Sequence, residues 1–209
     1  MKLRLYYPIT PWIVTQSFGE NLNSFYQSIG LKGHNGIDLR AADRQLIRAA
    51  HDGTVTFTGE DGSGGLGVVI RTDEQFDYNG SQSYFKTVYW HIAKGGFLVK
   101  AGQKVYAGDP IALADNTGYS TGTHLHFSLK PVYQGEKEWE WWNIEQDNGY
   151  KGSIDPEPYL VGISAEQKFN DNISGLRATQ ERLMRYIIEL LQKKLNELRS
   201  KRSVSTPIS

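Results

Sequence analysis

The chain has 209 residues, 39% of them hydrophobic, enough for one substantial core with a modest appendage. Lys and Arg number 23 and Asp and Glu also 23, so the formal charge is zero and no global field favours nucleic acid. There is no cysteine, which excludes a disulfide framework, thiolate zinc sites and a cysteine nucleophile and leaves His, Asp and Glu to hold any metal.

Residues 1–15 carry Lys2 and Arg4, then Pro8 and Pro11, without an apolar run or a small-residue cleavage site. No secretory signal is expected from them, and no stretch reaches the roughly twenty apolar residues of a membrane span. From Leu3 to about Leu129, short Val, Ile, Phe and Tyr runs alternate with Gly, Asn and Asp, the pattern of a compact antiparallel β domain. Asp52-Gly53 introduces a strand over Thr54 to Thr58. Gly67 to Thr72 and Tyr84 to Ile92 read as two further strands, joined by a polar segment whose Asn79-Gly80 pair suits a tight reversal.

Residues 133–150 read as an aromatic insertion or hairpin. If extended, it places Trp139 and Trp141 on one face and Glu138 and Glu140 on the other, either walling a groove or packing on the domain. The expected main domain is 1–160, followed by a connector over 161–175. Leu176, Leu183, Ile187, Leu190, Leu191, Leu195 and Leu198 then recur at helical spacing and predict an amphipathic helix over 176–202, with a disordered tail at 203–209. That helix carries eight Lys and Arg against Glu181, Glu189 and Glu197. Self-association through it, packing on the domain and contact with an anionic surface are its three readings.

Five histidines occur, four of them in three unusual settings: Gly33-His34-Asn35-Gly36-Ile37-Asp38, Tyr89-Trp90-His91 and His124-Leu125-His126-Phe127. On a strand, residues two apart point the same way, so His124 and His126 project together while Leu125 and Phe127 face the core. Gly33 and Gly36 argue against a helix around His34. In an extended reading His34, Gly36 and Asp38 share a face, and the absent side chain of Gly36 leaves room for an ion between imidazole and carboxylate. Two imidazoles and a carboxylate suit zinc with one position open for water, whose pKa zinc lowers to about 7. A histidine with its ordinary value of about 6.5 can shuttle the proton that amide hydrolysis requires. His51, before Asp52-Gly53, reads as a solvated turn residue, and Tyr26 and Tyr119 either orient a substrate or pack.

The H-x-x-x-D motif of His34 and Asp38, the aromatic strand ending at His91 and the H-x-H of His124 and His126 followed by Phe127 resemble the signature of lysostaphin/LytM-type zinc metallopeptidases. The segments Ala50 to Val55, Gly102 to Gly108 and Thr117 to Gly122 resemble that family's connections, over a motif-bearing core of about 16–129 with a trailing Ile154-Asp155-Pro156. The resemblance implies a mainly β fold, an antiparallel two-layer β-sandwich of the duplicated hybrid motif type, here with a C-terminal α-helix. It implies zinc (Zn2+) bound by His34, Asp38 and His126, with His91 and His124 flanking the water as base and transition-state stabiliser. The glutamate base of H-E-x-x-H proteases is absent, so the proton work falls to histidine.

The implied activity is endopeptidase cleavage of peptidoglycan cross-links or stem peptides. Without an export signal, such an enzyme is expected to be made in the cytoplasm and to reach the wall after release or lysis, or aboard a phage. With only residues 1–15 ahead of the motif-bearing core, no proteolytic activation is expected. The alternatives are a non-catalytic wall-binding or virion module on the same fold and a phosphocarrier domain with paired histidines. The latter has no use for the Asp38 carboxylate.

Overall fold

The computed structural model describes residues 1–21, 24–137 and 140–203, without the side chains of 63, 189, 190, 193 and 195–203. Glu138 and Trp139, half of the alternating face expected in the insertion, and Leu190, Leu195 and Leu198 of the apolar stripe therefore lie outside the described residues or side chains.

The alternation seen in the sequence is realised as strands. In chain order they are β1 (Leu5–Tyr7), β2 (Val14–Gln16), β3 (Ile37–Arg40), β4 (Leu46–Arg48), β5 (Gly53–Asp61), β6 (Gly65–Arg71) and β7 (Phe76–Tyr78). They continue with β8 (Ser81–Trp90), β9 (Ile92–Phe97), β10 (Lys104–Val105), β11 (Pro110–Ala114), β12 (His124–Gln134), β13 (Trp141–Asn143) and β14 (Leu160–Ser164). One short helix, α1 (Phe25–Ser28), sits before β3, and a long one, α2 (Ala165–Ser203), ends the chain.

The main sheet runs β10-β5-β6-β8-β12-β3-β2, with β13 added to β12 and β7 to β8, and every pairing in it is antiparallel. A three-stranded antiparallel sheet, β4-β11-β9, forms the second layer. β1 and β14 pair in parallel, the exception to the antiparallel rule. Asn79 and Gly80 turn β7 into β8 with φ of 52° and 82°, the left-handed pair that a two-residue hairpin demands.

Period-two alternation decides which side of the main sheet is core. Leu125, Phe127 and Leu129 of β12, Phe85 and Tyr89 of β8, Val68 and Ile70 of β6 and Ile37 and Leu39 of β3 are all fully buried against Ile47, Ile92 and Ile111 of the second layer. Each contributes about 1.5–3 kcal/mol relative to exposure, and together they make one face of β3, β8 and β12 immovable. The opposite face, carrying His124, His126, Trp90 and Asp38, is thereby aimed outward as a set.

Two expectations about local structure are corrected. β3 begins only at Ile37, so His34 and Gly36 lie in the preceding loop, where two close-set glycines favour bends over a continued strand. The connector expected over 161–175 is instead β14 and the first turns of α2. Ser164 Oγ accepts a hydrogen bond from the Gln167 amide at 3.0 Å, capping the helix start, so α2 begins at Ala165 in place of 176. The first compact unit closes at Phe169, and Ala165 is buried within it. Beyond that point α2 carries exposed Leu176, Leu183, Ile187 and Leu191, and no helix among the described residues is long and apolar enough to cross a membrane.

His51 is also corrected, being buried at 4% exposure where a solvated turn residue was expected. Its Nδ1–H donates to the Asp52 carbonyl at 2.8 Å, and its Nε2 faces the Thr87 hydroxyl at 2.9 Å, which lies 3.1 Å from the Tyr89 hydroxyl. That hydroxyl accepts the Ala50 amide, completing a buried polar chain behind the main sheet. Burial pushes His51 below its ordinary value. A histidine kept neutral by the fold contributes stability fully present above its unfolded value of about 6.5 and lost as pH falls through and below it. Urea midpoints should therefore fall more steeply between pH 7 and pH 5 for the wild type than for His51→Gln. Parallel profiles would contradict this account.

Candidate metal centre

Three neighbouring elements supply the site. The loop before β3 brings His34, β3 brings Asp38, and β12 brings His124 and His126, the antiparallel register setting His126 opposite Asp38 and Trp90 opposite His126. His91 sits between β8 and β9 at φ 68°, a left-handed conformation uncommon outside glycine that turns its ring towards the same spot. Gly36 carries no side chain for a packing reason: a Cβ there would stand 2.7 Å from the His126 ring. The space left by Gly36 thus accommodates His126.

The donor atoms of His34, Asp38 and His126 converge. His34 Nε2 is 2.9 Å from His126 Nδ1 and 3.1 Å from Asp38 Oδ1, and His126 Nδ1 is 3.0 Å from that same oxygen. His34 Nδ1 is 3.2 Å from the Ser17 carbonyl, an atom that can only accept, so Nδ1 carries the proton and Nε2 presents a lone pair. A lone pair and a carboxylate oxygen at 3.1 Å call for a cation between them. His34 and His126 are 3% and 6% exposed, so water offers little relief. Among the described residues these three form a group of potential ligands whose donor atoms all lie within 4.8 Å of one another.

His91 and His124 flank the group, their ring centroids 4.5 Å apart. Each has its Nδ1–H tied to a backbone carbonyl, His91 to Thr117 at 2.6 Å and His124 to Gly122 at 2.8 Å, which leaves Nε2 for chemistry. Nε2 of His124 is 3.5 Å from Asp38 Oδ2. Burial pushes His91 down to about 4, helped by neighbouring His124 and His126. Burial also opposes charge on His124, but the hydrogen bond and charge of Asp38 and the Gly122 carbonyl outweigh it and hold His124 above its ordinary value. Burial would likewise raise Asp38, yet the neighbouring rings of His124, His126 and His34 keep its carboxyl far below the usual carboxylate range.

The centre opens into a groove of about 1140 Å³ across the face of the main sheet. Tyr26 and Tyr119, given two readings from sequence, both line it, as do Phe25 and Trp141. Tyr26 is anchored by donating to Gln16 Oε1 at 2.9 Å, and burial pushes its phenol up to about 12, so it stays a neutral donor. Sequence reading missed several supporting residues. Thr117 orients His91, Ser120 Oγ lies 3.1 Å from His124 Nδ1, and Trp90 covers Gly67, where a Cβ would stand 1.8 Å from the indole. The Thr117 to Gly122 turn was noted only as a connection; its contact with both flanking histidines is set by the fold.

Residues 32–138, about half of the chain, match the model of peptidase family M23. The chain belongs to that family. An uncharacterized metalloprotease of Haemophilus influenzae is 38% identical over 100 residues, 47% of this chain and 19% of that protein. The peptidoglycan DD-endopeptidase ShyA of Vibrio cholerae is 36% identical over 96 residues, 46% of this chain and 20% of that protein. This M23 chain thus matches about a fifth of the length of these two relatives. The solved structure of LytU superposes with a TM-score of 0.52 at 29% identity, covering 72% of this chain and 86% of that one. Membership implies a metal, and the convergent His34, Asp38 and His126 donors are chemically suited to one.

Proposed function

We propose that the chain is a zinc-dependent endopeptidase that hydrolyses peptide bonds in bacterial peptidoglycan, with His34, Asp38 and His126 as metal ligands and His91 and His124 as catalytic residues. The observation that carries the reading is the three-way convergence of His34 Nε2, Asp38 Oδ1 and His126 Nδ1 within 3.1 Å, with two further imidazoles beside it. Tetrahedral donors at about 2.0–2.1 Å from a zinc ion stand about 3.3 Å apart, close to the spacing of these atoms. Two His and one carboxylate are a known catalytic donor set, whereas structural zinc sites are closed by four protein ligands.

When bound, zinc supplies Lewis acidity, polarising the scissile carbonyl and acidifying water to a pKa of about 7. The remaining work belongs to the side chains. His91 stays neutral down to about pH 4 and can take up the proton of the attacking water at Nε2. His124, more readily charged, donates from its own Nε2 to the oxygen on which negative charge develops. Separated tendencies in two adjacent groups are how one site holds an acid and a base at the same pH. Peptidoglycan as substrate is supported by the wall-directed activity named for ShyA and by the groove of about 1140 Å³ into which the centre opens. Zinc-loaded protein should release peptide-cleaved fragments from purified sacculi; intact sacculi after prolonged incubation at one zinc per chain would contradict the proposal.

A further inference from the structure

The registers place three cations in one row across the main sheet. Arg71 of β6 pairs with Lys86 of β8, and Lys86 pairs with Lys130 of β12. The parallel row containing the centre is Gly67, Trp90 and His126, four residues away on each of these strands. An even offset keeps both rows on the same face, and four residues at about 3.3 Å each separate them by about 13 Å. Lys86 and Lys130 line the same groove as the histidines, joined there by Lys151 and by Trp141, whose ring lies 3.9 Å from the Arg71 guanidinium carbon.

Like charges directly opposite in a sheet are destabilising, and this sheet carries two such pairs side by side. Among the described residues none of the four cations forms an ion pair within 4.0 Å, although Lys104 and Lys137 elsewhere do. Arg71 Nε is buried without a hydrogen-bond partner. Lys130 Nζ donates once, to the Lys151 carbonyl at 2.9 Å, leaving two of its three protons to give. Burial, with Lys151 and Lys86 nearby, pushes Lys130 down to about 8, opposed only by the charge of Asp61; burial and Arg71 push Lys86 down as well. A half-buried cationic row without an ion pair among the described residues, in a groove that Glu60 and Asp61 also line, breaks the local rules of sheet stability, as residues kept for binding do.

We propose that Lys86 and Lys130, flanked by Arg71 and Lys151, bind a free carboxylate of the substrate peptide, so that the enzyme selects acidic peptides. This rests on the peptidase reading above. At 3.3–3.6 Å per extended residue, the carboxylate sits three or four residues from the scissile bond when the peptide lies along the groove. Trp141, stacked on Arg71 and edge-on to Tyr84 at 5.1 Å, lines the groove beside this row.

The probe is soluble stem peptides freed from sacculi by an amidase, compared with the same peptides after their carboxylates are converted to carboxamides. Binding to the full-length chain is measured by calorimetry with chelator present, so no hydrolysis is involved. The carboxylate form should bind at least about tenfold more tightly, the worth of one charge-assisted contact of about 1.4 kcal/mol. Lys86→Met with Lys130→Met should erase the difference while leaving the affinity for carboxamides unchanged, and Lys130→Arg should keep it. Equal binding of both forms by the wild type would overturn the proposal, as would competition by polyglycerol phosphate together with indifference to peptide carboxylates. Because binding is read without turnover, discrimination alongside intact sacculi would sustain the carboxylate site and condemn only the hydrolytic reading.

Discussion

Asp38→Ala should abolish hydrolysis and weaken zinc binding by more than about 100-fold, since even residues that merely support a ligand cost 10–100-fold in metal affinity. Asp38 is the hub of the centre. Its Oδ1 is 3.1 Å from His34 and 3.0 Å from His126, while Oδ2 is 3.5 Å from His124. Its removal subtracts one ligand and the negative charge that offsets the ion. It also withdraws the partner that keeps His124 above its ordinary value, so a variant forced to hold zinc by excess metal should still turn over slowly. Competition against a chromophoric chelator reads the first effect and kcat/KM under saturating zinc the second. Wild-type zinc affinity in Asp38→Ala would show that the ligand set is wrong.

His91→Ala should separate binding from chemistry. The ring donates Nδ1–H to Thr117 and makes no hydrogen bond to His34, Asp38 or His126, its closest ring contacts there being at 4.5 Å to His124 and 6.1 Å to His126. Zinc should therefore remain at about one ion per chain while kcat falls by about 10²–10⁴, the usual worth of general acid–base assistance. The backbone at His91 has φ 68°, so alanine adds strain, whereas Asn tolerates that conformation and cannot serve as the base. His91→Asn should show the same kinetic loss with wild-type thermal stability. Release of zinc from either variant would instead place His91 among the ligands.

The β architecture and the shared face of His124 and His126 were legible in the sequence because both rest on short-range periodicity, while His34, Asp38 and His91 were joined to them by the family resemblance of their motifs. His124 and His126 share a face for the same reason that Leu125 and Phe127 share the core, and this alternation survives folding unchanged. Where bends replaced the strand, the reading failed: His34 reaches the centre from a loop pinned by the Gly19 amide on its carbonyl at 2.8 Å. The start of α2 was hidden by Asn170, Asp171, Asn172 and Gly175, weak helix formers that masked a cap at Ser164, bonded to Gln167, twelve residues ahead of the apolar stripe. His51 looked like a turn residue because its partner Thr87 is 36 positions away. The cationic row was illegible for a stronger reason. Arg71, Lys86 and Lys130 meet only through the registers of β6, β8 and β12, and register is a property of the assembled sheet.

The most direct test of the central claim is mass spectrometry of what the zinc-loaded protein releases from purified sacculi. Cleavage at a peptide bond is predicted to leave paired new amino and carboxyl termini within stem peptides or cross-links, with glycan strands intact, and chelator should suppress it until zinc is restored. Fragments that carry only broken glycosidic linkages, or peptide release that persists after the ion is removed, would contradict the account.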